Sequence, residues 1–209
     1  MQLNNHQMKQ FFKNKKVIIL GSAPSVVETQ ADFINNFDIV VRLNNYKFFN
    51  ECKRVDVYYS YFGMSIKKTS DDIINDNVKL IMCKYPLCDW GNAIEGHSGN
   101  WTNVYKNKRY KAVDYYIPIN EYFKRNYNLL KRIQTTGLAS ILDILRFKPS
   151  FIYISGFDFF TSKKHNINEA WKDGDGNHDL EKEKCLIKMM LYFGLIDADN
   201  NIKNIVRDI

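Results

Sequence analysis

The sequence predicts an α/β fold built on one mostly parallel sheet. Three observations carry that reading. Short β-branched runs such as Lys16–Leu20 (KVIIL) and Phe151–Ser155 (FIYIS) stop at glycine, as buried strands do. Stretches with helically spaced apolar residues alternate with them. A chain of 209 residues, 45% hydrophobic and 25% charged, suits a single globular domain over residues 1–209 with its own core.

The elements follow in order. Lys16–Leu20 is the first strand and ends at Gly21. A helix is expected next, because Pro24 precedes Ser25 and Glu28, which have capping-box spacing. Phe37–Leu43 (FDIVVRL), Val55–Ser60 (VDVYYS) and Val78–Cys83 (VKLIMC) read as further strands. Ile119–Ile133 reads as a helix with Tyr122, Phe123, Leu129 and Leu130 in its apolar stripe. A second helix runs from Gly137 to Phe147, capped by Thr135 or Thr136. Phe151–Ser155 is the next strand, ending at Gly156, and the polar stretch 161–177 reads as a long loop. The last helix runs from Asp179 to Phe193, with Leu186, Met189, Met190 and Phe193 at i, i+3, i+4, i+7 and Gly194 as its stop. Ile202–Val206 reads as a final short strand.

Composition narrows the function. No run approaches the ~20 apolar residues of a membrane span, and Met1–Gln10 is too polar for a signal peptide. The expected location is cytoplasmic, with peripheral membrane contact and self-association left open. Thirty basic against 23 acidic residues, a net charge of +7, permit an anionic partner. The lysines nevertheless fall in short clusters (Lys13/Lys15/Lys16, Lys67/Lys68, Lys163/Lys164) for which a solvated surface is sufficient explanation. Cys52, Cys83, Cys88 and Cys185 form no CxxC pair, so neither zinc nor a disulfide framework is implied.

Parallel sheets bind ligands beyond the carboxyl ends of their strands. The turn Gly21-Ser22-Ala23-Pro24-Ser25 lets backbone approach a ligand, although it is neither a dinucleotide fingerprint nor a Walker loop. Asn44, after a strand ending in Arg42-Leu43, offers one donor and one acceptor, or simply forms a turn. Thr135-Thr136-Gly137 sets two hydroxyls at a helix start, fit for a carboxylate or phosphate or for plain capping. His178 and His165 flank the polar loop, and His178 has acidic neighbours Asp179, Glu181 and Glu183. Asp173 and Asp175 mimic a metal clamp, but the string fails as a calcium loop at His178 and Lys184 and reads better as a flexible turn. The segment 88–103, with Trp90, Gly96, His97, Gly99 and Trp101, suits either a sugar-contacting loop or one tucked on the core.

In this order the pieces resemble the sialyltransferases. Lys16–Ser25 (KVIILGSAPS) is similar to the bacterial first motif, a strand followed by G-N-G-P-S. Phe37–Asn44 (FDIVVRLN) resembles the end of the animal-type large motif. Thr135–Phe160 (TTGLASILDILRFKPSFIYISGFDFF) resembles both the animal small motif and the bacterial T-S-G … I-Y-L-S-G-I-D-F-Y. His178 with Glu183 matches H-x-x-x-x-E, and His165 sits about where the animal third motif has its His. The resemblance implies a Rossmann-like, metal-independent glycosyltransferase that inverts the anomeric centre. The donor would be CMP-sialic acid or a related CMP-activated nonulosonic acid, the acceptor a glycan; no cofactor and no nucleic-acid partner is implied. By the same resemblance Gly21, Ser22 and Ser25 line the nucleotide, and Asn44 bonds the CMP moiety with help from Ser60. Thr136 and Gly137, with Thr135, hold the donor carboxylate or phosphate, while Gly156, Phe157 and Asp158 cradle the cytidine. His178 is the general base, Glu183 its companion, and His165 a partner of the leaving phosphate. The stretch 161–177 would be a lid.

The chain departs from the family pattern in places. Ser22 replaces the usual Asn, and Phe160 and a position near Asn166 replace two phosphate-binding tyrosines. On one helix Glu183 would lie about 140° around from His178, which favours Glu181 as orienter. Two other readings stand beside this one. A magnesium- and ATP-dependent enzyme resembling the archaeal-type pterin diphosphokinases shares a similar first turn. A degenerate transferase would be a non-catalytic nucleotide- or glycan-binding domain.

Overall fold

The first strand, β1 (Lys16–Leu20), is apolar after its first residue because both its faces are covered. It lies between β2 (Ile39–Leu43) and β6 (Phe151–Ser155), parallel to each. From β2 the sheet extends through β3 (Val57–Ser60) and β4 (Leu80–Cys83) to a three-residue edge strand, β5 (Asp114–Tyr116). Beyond β6 lies β7 (Asp197–Ala198). The seven-stranded parallel sheet thus has the order β5-β4-β3-β2-β1-β6-β7, and the chain reverses direction across it between β1 and β6. That reversal opens a crevice at the carboxyl ends of these two strands. In this computed structural model the described residues are 1–49, 52–62, 66–86, 113–160 and 178–207. The expected α/β class with a parallel sheet is what forms.

Helices cover both faces. α1 (Asn5–Phe12), α5 (Thr136–Leu145), α6 (Leu180–Tyr192) and α7 (Asn200–Arg207) contribute Met8, Phe12, Ile141, Ile144, Ile187, Met190, Ile202 and Val206 to one core with Val17 and Ile19 of β1. The other face of β1, Ile18 and Leu20, packs with Ile34 of α2 (Ala31–Asn35). α3 (Ser70–Asn75) and α4 (Asn120–Leu130) close a third cluster around Tyr58 and Ile81. Among the described residues no helix is long and apolar enough to cross a membrane.

Several expectations are corrected. The segment after β1 is a five-residue 3-10 turn, Pro24–Glu28, followed by α2. Its N-cap is Ala23 with no side-chain bond, so Ser25 and Glu28 form no capping box: Pro24 at the first position starts the turn and leaves Ser25 inside it. Ile202–Val206 is helical, within α7, where Asp199 Oδ1 accepts from the Ile202 N–H at 2.8 Å. Ile202, Ile205 and Val206 recur at i, i+3, i+4, a spacing too short to separate from a strand by eye. In α4 Leu129 is exposed and Asn126 is buried instead. In α6 the buried face is Glu183, Ile187 and Met190, whereas Met189 and Phe193 face solvent. The sequence pattern discounts a glutamate as core, and that shifts the inferred stripe by one residue. α1, α2, α3 and β5 are unanticipated; none exceeds eight residues, too few to show a clear period.

Candidate functional site

The sequence-predicted residues within the described chain collect along the carboxyl edge of the sheet. At its centre Gly21 meets Gly156, and the Phe157 ring lies against both Gly21 and Gly137. Gly21 donates its N–H to Ser155 O at 2.8 Å, and Ala23 donates to Gly156 O at 3.0 Å. A Cβ on Gly21 would lie 2.1 Å from that Gly156 oxygen. A Cβ on Gly137 would lie 2.3 Å from the Phe157 ring. Gly156 has φ +73°, and a Cβ there would strike Val26 at 2.5 Å. The Phe157 ring is therefore a wedge between the Gly21 turn and the start of α5. Close packing is reason enough for glycine at all three positions, against backbone at Gly21 and against the side chains of Phe157 and Val26 at Gly137 and Gly156. Ser22 and Ser25 are half-buried in this turn, and the Ser25 hydroxyl accepts from Asn201 of α7 at 3.4 Å.

At the ends of β2 and β3, Asn44 adopts a left-handed conformation, φ +48°. Its Oδ1 accepts from the Ser60 hydroxyl at 3.2 Å and from the Tyr61 N–H at 3.4 Å. Those bonds turn the carbonyl oxygen inward and leave the Nδ2 donor for a ligand. Ser60 is fully buried and also accepts from the Phe62 N–H at 3.1 Å, so its hydroxyl is used to orient Asn44. Arg42, two residues earlier on β2, is consumed by the carbonyls of Lys47, Cys52 and Arg54, and builds the loop after β2.

The start of α5 has a double cap. Thr135 Oγ1 accepts from the Leu138 N–H at 3.2 Å and donates to Glu183 Oε2 at 2.6 Å. The Thr135 N–H donates to Glu183 Oε1, also at 2.6 Å. Thr135 thus has its polar groups engaged within the protein. The Thr136 hydroxyl makes no hydrogen bond among the described residues, and with the N–H groups of Thr136 and Gly137 it forms the part of this terminus able to hold an anion. Glu183 is fully buried. Burial pushes its carboxyl up to about 7, against the opposing pull of the two Thr135 bonds and of Lys84. Lys84 is itself buried at the end of β4 and donates to Gln134 O at 2.6 Å.

His178 lies just before α6, whose N-cap is Asp179. Its Nδ1 is 2.6 Å from Ile133 O. A carbonyl only accepts, so Nδ1 carries the proton and Nε2 is the basic nitrogen. None of the three acidic neighbours supplies this orientation: Glu183 holds Thr135, Glu181 pairs with Lys184 at 2.7 Å, and Asp179 caps α6 and pairs with Lys182 at 2.8 Å. The orienting group, a backbone carbonyl, carries no side-chain signal in the sequence. Phe160 stacks on the imidazole with ring centroids 6.5 Å apart and planes 8° from parallel. Asp158, buried, sets up that stack: its Oδ1 accepts from the Phe160 N–H at 3.1 Å across a turn in which Phe159 and Phe160 have φ +50° and +60°. Lys84 was not anticipated either; a lysine directly after the apolar run of β4 was the available signal.

His165, the lid stretch 161–177 with Asp173 and Asp175, and the 88–103 loop with Cys88 lie outside the described residues. Among the described residues no three His, Cys, Asp or Glu side chains gather as a metal site.

Comparison with known proteins gives fold relatives only. No family model matches the chain, and no curated protein matches it in sequence. Among solved structures it is similar to the sialyltransferase CstII from Campylobacter jejuni in complex with the substrate analogue CMP-3FNeuAc, with a TM-score of 0.60 and 19% identity over 88% of this chain and 80% of that one. CstII in complex with a trisaccharide acceptor and CMP gives a TM-score of 0.57 and 20% identity over 88% and 80%. The monofunctional α-2,3-sialyltransferase Cst-I from the same organism gives 0.58 and 16% over 89% and 75%.

Proposed function

We propose that the chain is a glycosyltransferase that moves sialic acid, or a related nonulosonic acid, from a CMP-activated donor to a glycan acceptor with inversion and without a metal. The observation that carries this reading is His178. Its Nδ1 is tied to Ile133 O two residues before the Thr135-Thr136-Gly137 helix start, in a fold shared with structures that contain CMP. A base and an anion-holding terminus meet at one edge of the sheet.

In the step proposed, the acceptor hydroxyl oxygen bonds to the anomeric carbon as the bond from that carbon to the CMP phosphate oxygen breaks. The hydroxyl proton passes to His178 Nε2, and CMP leaves with the electron pair. Thr136 and the α5 N–H groups stabilise the departing or carboxylate charge, and Asn44 Nδ2 holds the nucleotide.

The test combines binding and turnover. CMP should raise the melting temperature and ATP with magnesium should not; EDTA should leave the transfer rate unchanged. The reverse pattern favours the diphosphokinase-like reading, and no shift with either nucleotide favours a non-catalytic domain. His178→Ala should keep CMP binding and lose transfer by about 10²–10⁴-fold. Asn44→Ala should weaken CMP binding instead. Unchanged turnover in His178→Ala removes it as the base.

A further inference from the structure

We propose that the amino-terminal pole of the sheet, opposite the candidate site, is a docking surface for an anionic lipid membrane. This inference does not rest on the proposed function.

Two features meet there. The first is positive charge. The segments entering β1 and β6 run side by side: Asn14 donates to Lys148 O at 3.2 Å, Ser150 donates to Lys15 O at 2.9 Å, and Lys16 is in register with Phe151. Lys13, Lys15, Lys16 and Lys148 are all exposed on them. Among the described residues Asp38 is the acidic group beside them, 3.8 Å from Lys15, and Asp197, at the start of β7, is answered by Lys203 at 2.7 Å.

The second is an apolar tip. α6 ends in a Schellman turn, with Leu195 N–H donating to Met190 O, Gly194 N–H donating to Leu191 O, and Gly194 at φ +66°. This turn fixes Tyr192, Phe193 and Leu195 outward, with exposures of 84%, 66% and 53%. The two rings meet edge to face at 5.2 Å. Asp197 pairs with Tyr153, so the chain that carries Leu195 enters the sheet at the same pole as the start of β6, where Phe151 is 38% exposed.

The charge pattern selects the occupant. A second copy related by a two-fold axis would bring lysine clusters face to face. A bilayer with anionic headgroups answers the lysines and accepts tyrosine and phenylalanine at its interface.

The test is co-sedimentation of the full chain with vesicles of phosphatidylcholine alone or mixed with phosphatidylglycerol. Binding is expected to the mixed vesicles and to weaken with salt. Tyr192→Ser with Phe193→Ser should lower partitioning about tenfold or more. Lys13→Glu with Lys148→Glu should abolish the preference for phosphatidylglycerol. All four side chains are exposed, so unfolding midpoints should match the parent; should one pair fail to fold, the other decides. Equal partitioning on both vesicle types, or partitioning unmoved by either pair, overturns the proposal. So does a dimer that these substitutions dissolve in a chain that ignores vesicles.

Discussion

Two turns at the carboxyl edge look alike in sequence and differ in structure. Gly21–Ser25 and Thr135–Gly137 each combine glycine with hydroxyl residues before a helical segment. The first leads into a five-residue 3-10 turn with no side-chain cap, and its glycine is pressed against the Gly156 carbonyl. The second opens a ten-residue α-helix whose cap residue is held by a buried glutamate. A helix long enough to present aligned N–H groups offers an anion a stronger site than one 3-10 turn. Glycine next to serine or threonine therefore signals a backbone joint as readily as an anion cradle. What separates the two is the element that follows.

Alanine at each glycine breaks the comparison most forcefully. At Gly21 the new methyl meets a backbone oxygen, which cannot move aside without displacing β6. Gly21→Ala should cost about 3 kcal/mol or more, read by urea unfolding. At Gly137 it meets only the side chain of Phe157, and the cost should be about 1–3 kcal/mol. Adding Phe157→Leu should recover much of the Gly137→Ala loss and little of the Gly21→Ala loss. Equal rescue of both would mean that one wedge, and not two different joints, governs the edge.

Glu183 sharpens the second turn. Its carboxyl is raised from the ordinary range to about 7, chiefly by burial. The folded state then holds a proton that the unfolded chain releases near the ordinary glutamate value, about 4.3. Between those values the unfolded state binds fewer protons, so stability falls as pH rises from about 4.5 to 7. The loss should be roughly 2–3 kcal/mol at pH 8 relative to pH 4.5. Glu183→Gln cannot titrate, keeps an acceptor for the Thr135 N–H, and should flatten this part of the stability profile. Lys84, Asp179 and His178 face the same region, so the measured difference between parent and variant, not the parent curve alone, isolates Glu183. A variant profile parallel to the parent's would locate the titration elsewhere.

The same residue shows where sequence reading reached and where it stopped. The parallel sheet was legible because β1, β2 and β6 are β-branched runs that stop at polar or glycine residues, and burial on both faces demands that composition. The candidate site was expected at the strand ends, since that is where such folds bind ligands. The partners of individual side chains were not legible. Glu183 shares a motif with His178 but bonds Thr135, 48 residues away, and His178 is oriented by the Ile133 carbonyl, 45 residues away. Such pairings depend on how α6 docks against α5. Ile202–Val206 failed for another reason: at five residues, strand and helix periods are not separable.

Binding distinguishes the two turns less violently. Thr136→Val removes a hydroxyl at the intact helix start and should weaken CMP binding about tenfold. Ser25→Ala removes a hydroxyl turned to Asn201 and should change it less than about twofold. Isothermal titration with CMP reads both. A larger loss from Ser25→Ala would return the nucleotide to the first turn and leave the second as a purely structural cap.

The smallest effect concerns the ring stacked on His178. Phe160 lies parallel to His178, held there by the Asp158 turn, and is 38% exposed. The sialyltransferases that the sequence resembles place a tyrosine at this position, on the phosphate. Phe160→Tyr adds one phenolic donor to a ring already positioned by backbone, so the stack on His178 and the stability should stay within about 0.5 kcal/mol of the parent. If a phosphate leaves at this edge, the new donor should raise kcat up to about tenfold, less than a fully preorganised oxyanion donor contributes. KM for the donor should move little, because the bond strengthens as charge develops on the leaving oxygen. A gain in kcat would place the leaving group between Phe160 and the α5 terminus. An unchanged kcat with a lowered KM would mean the phenol meets the donor before the bond breaks. A drop in kcat would mean that the ring serves the imidazole alone, and that charge on the leaving group is met at Thr136 and the N–H groups beside it.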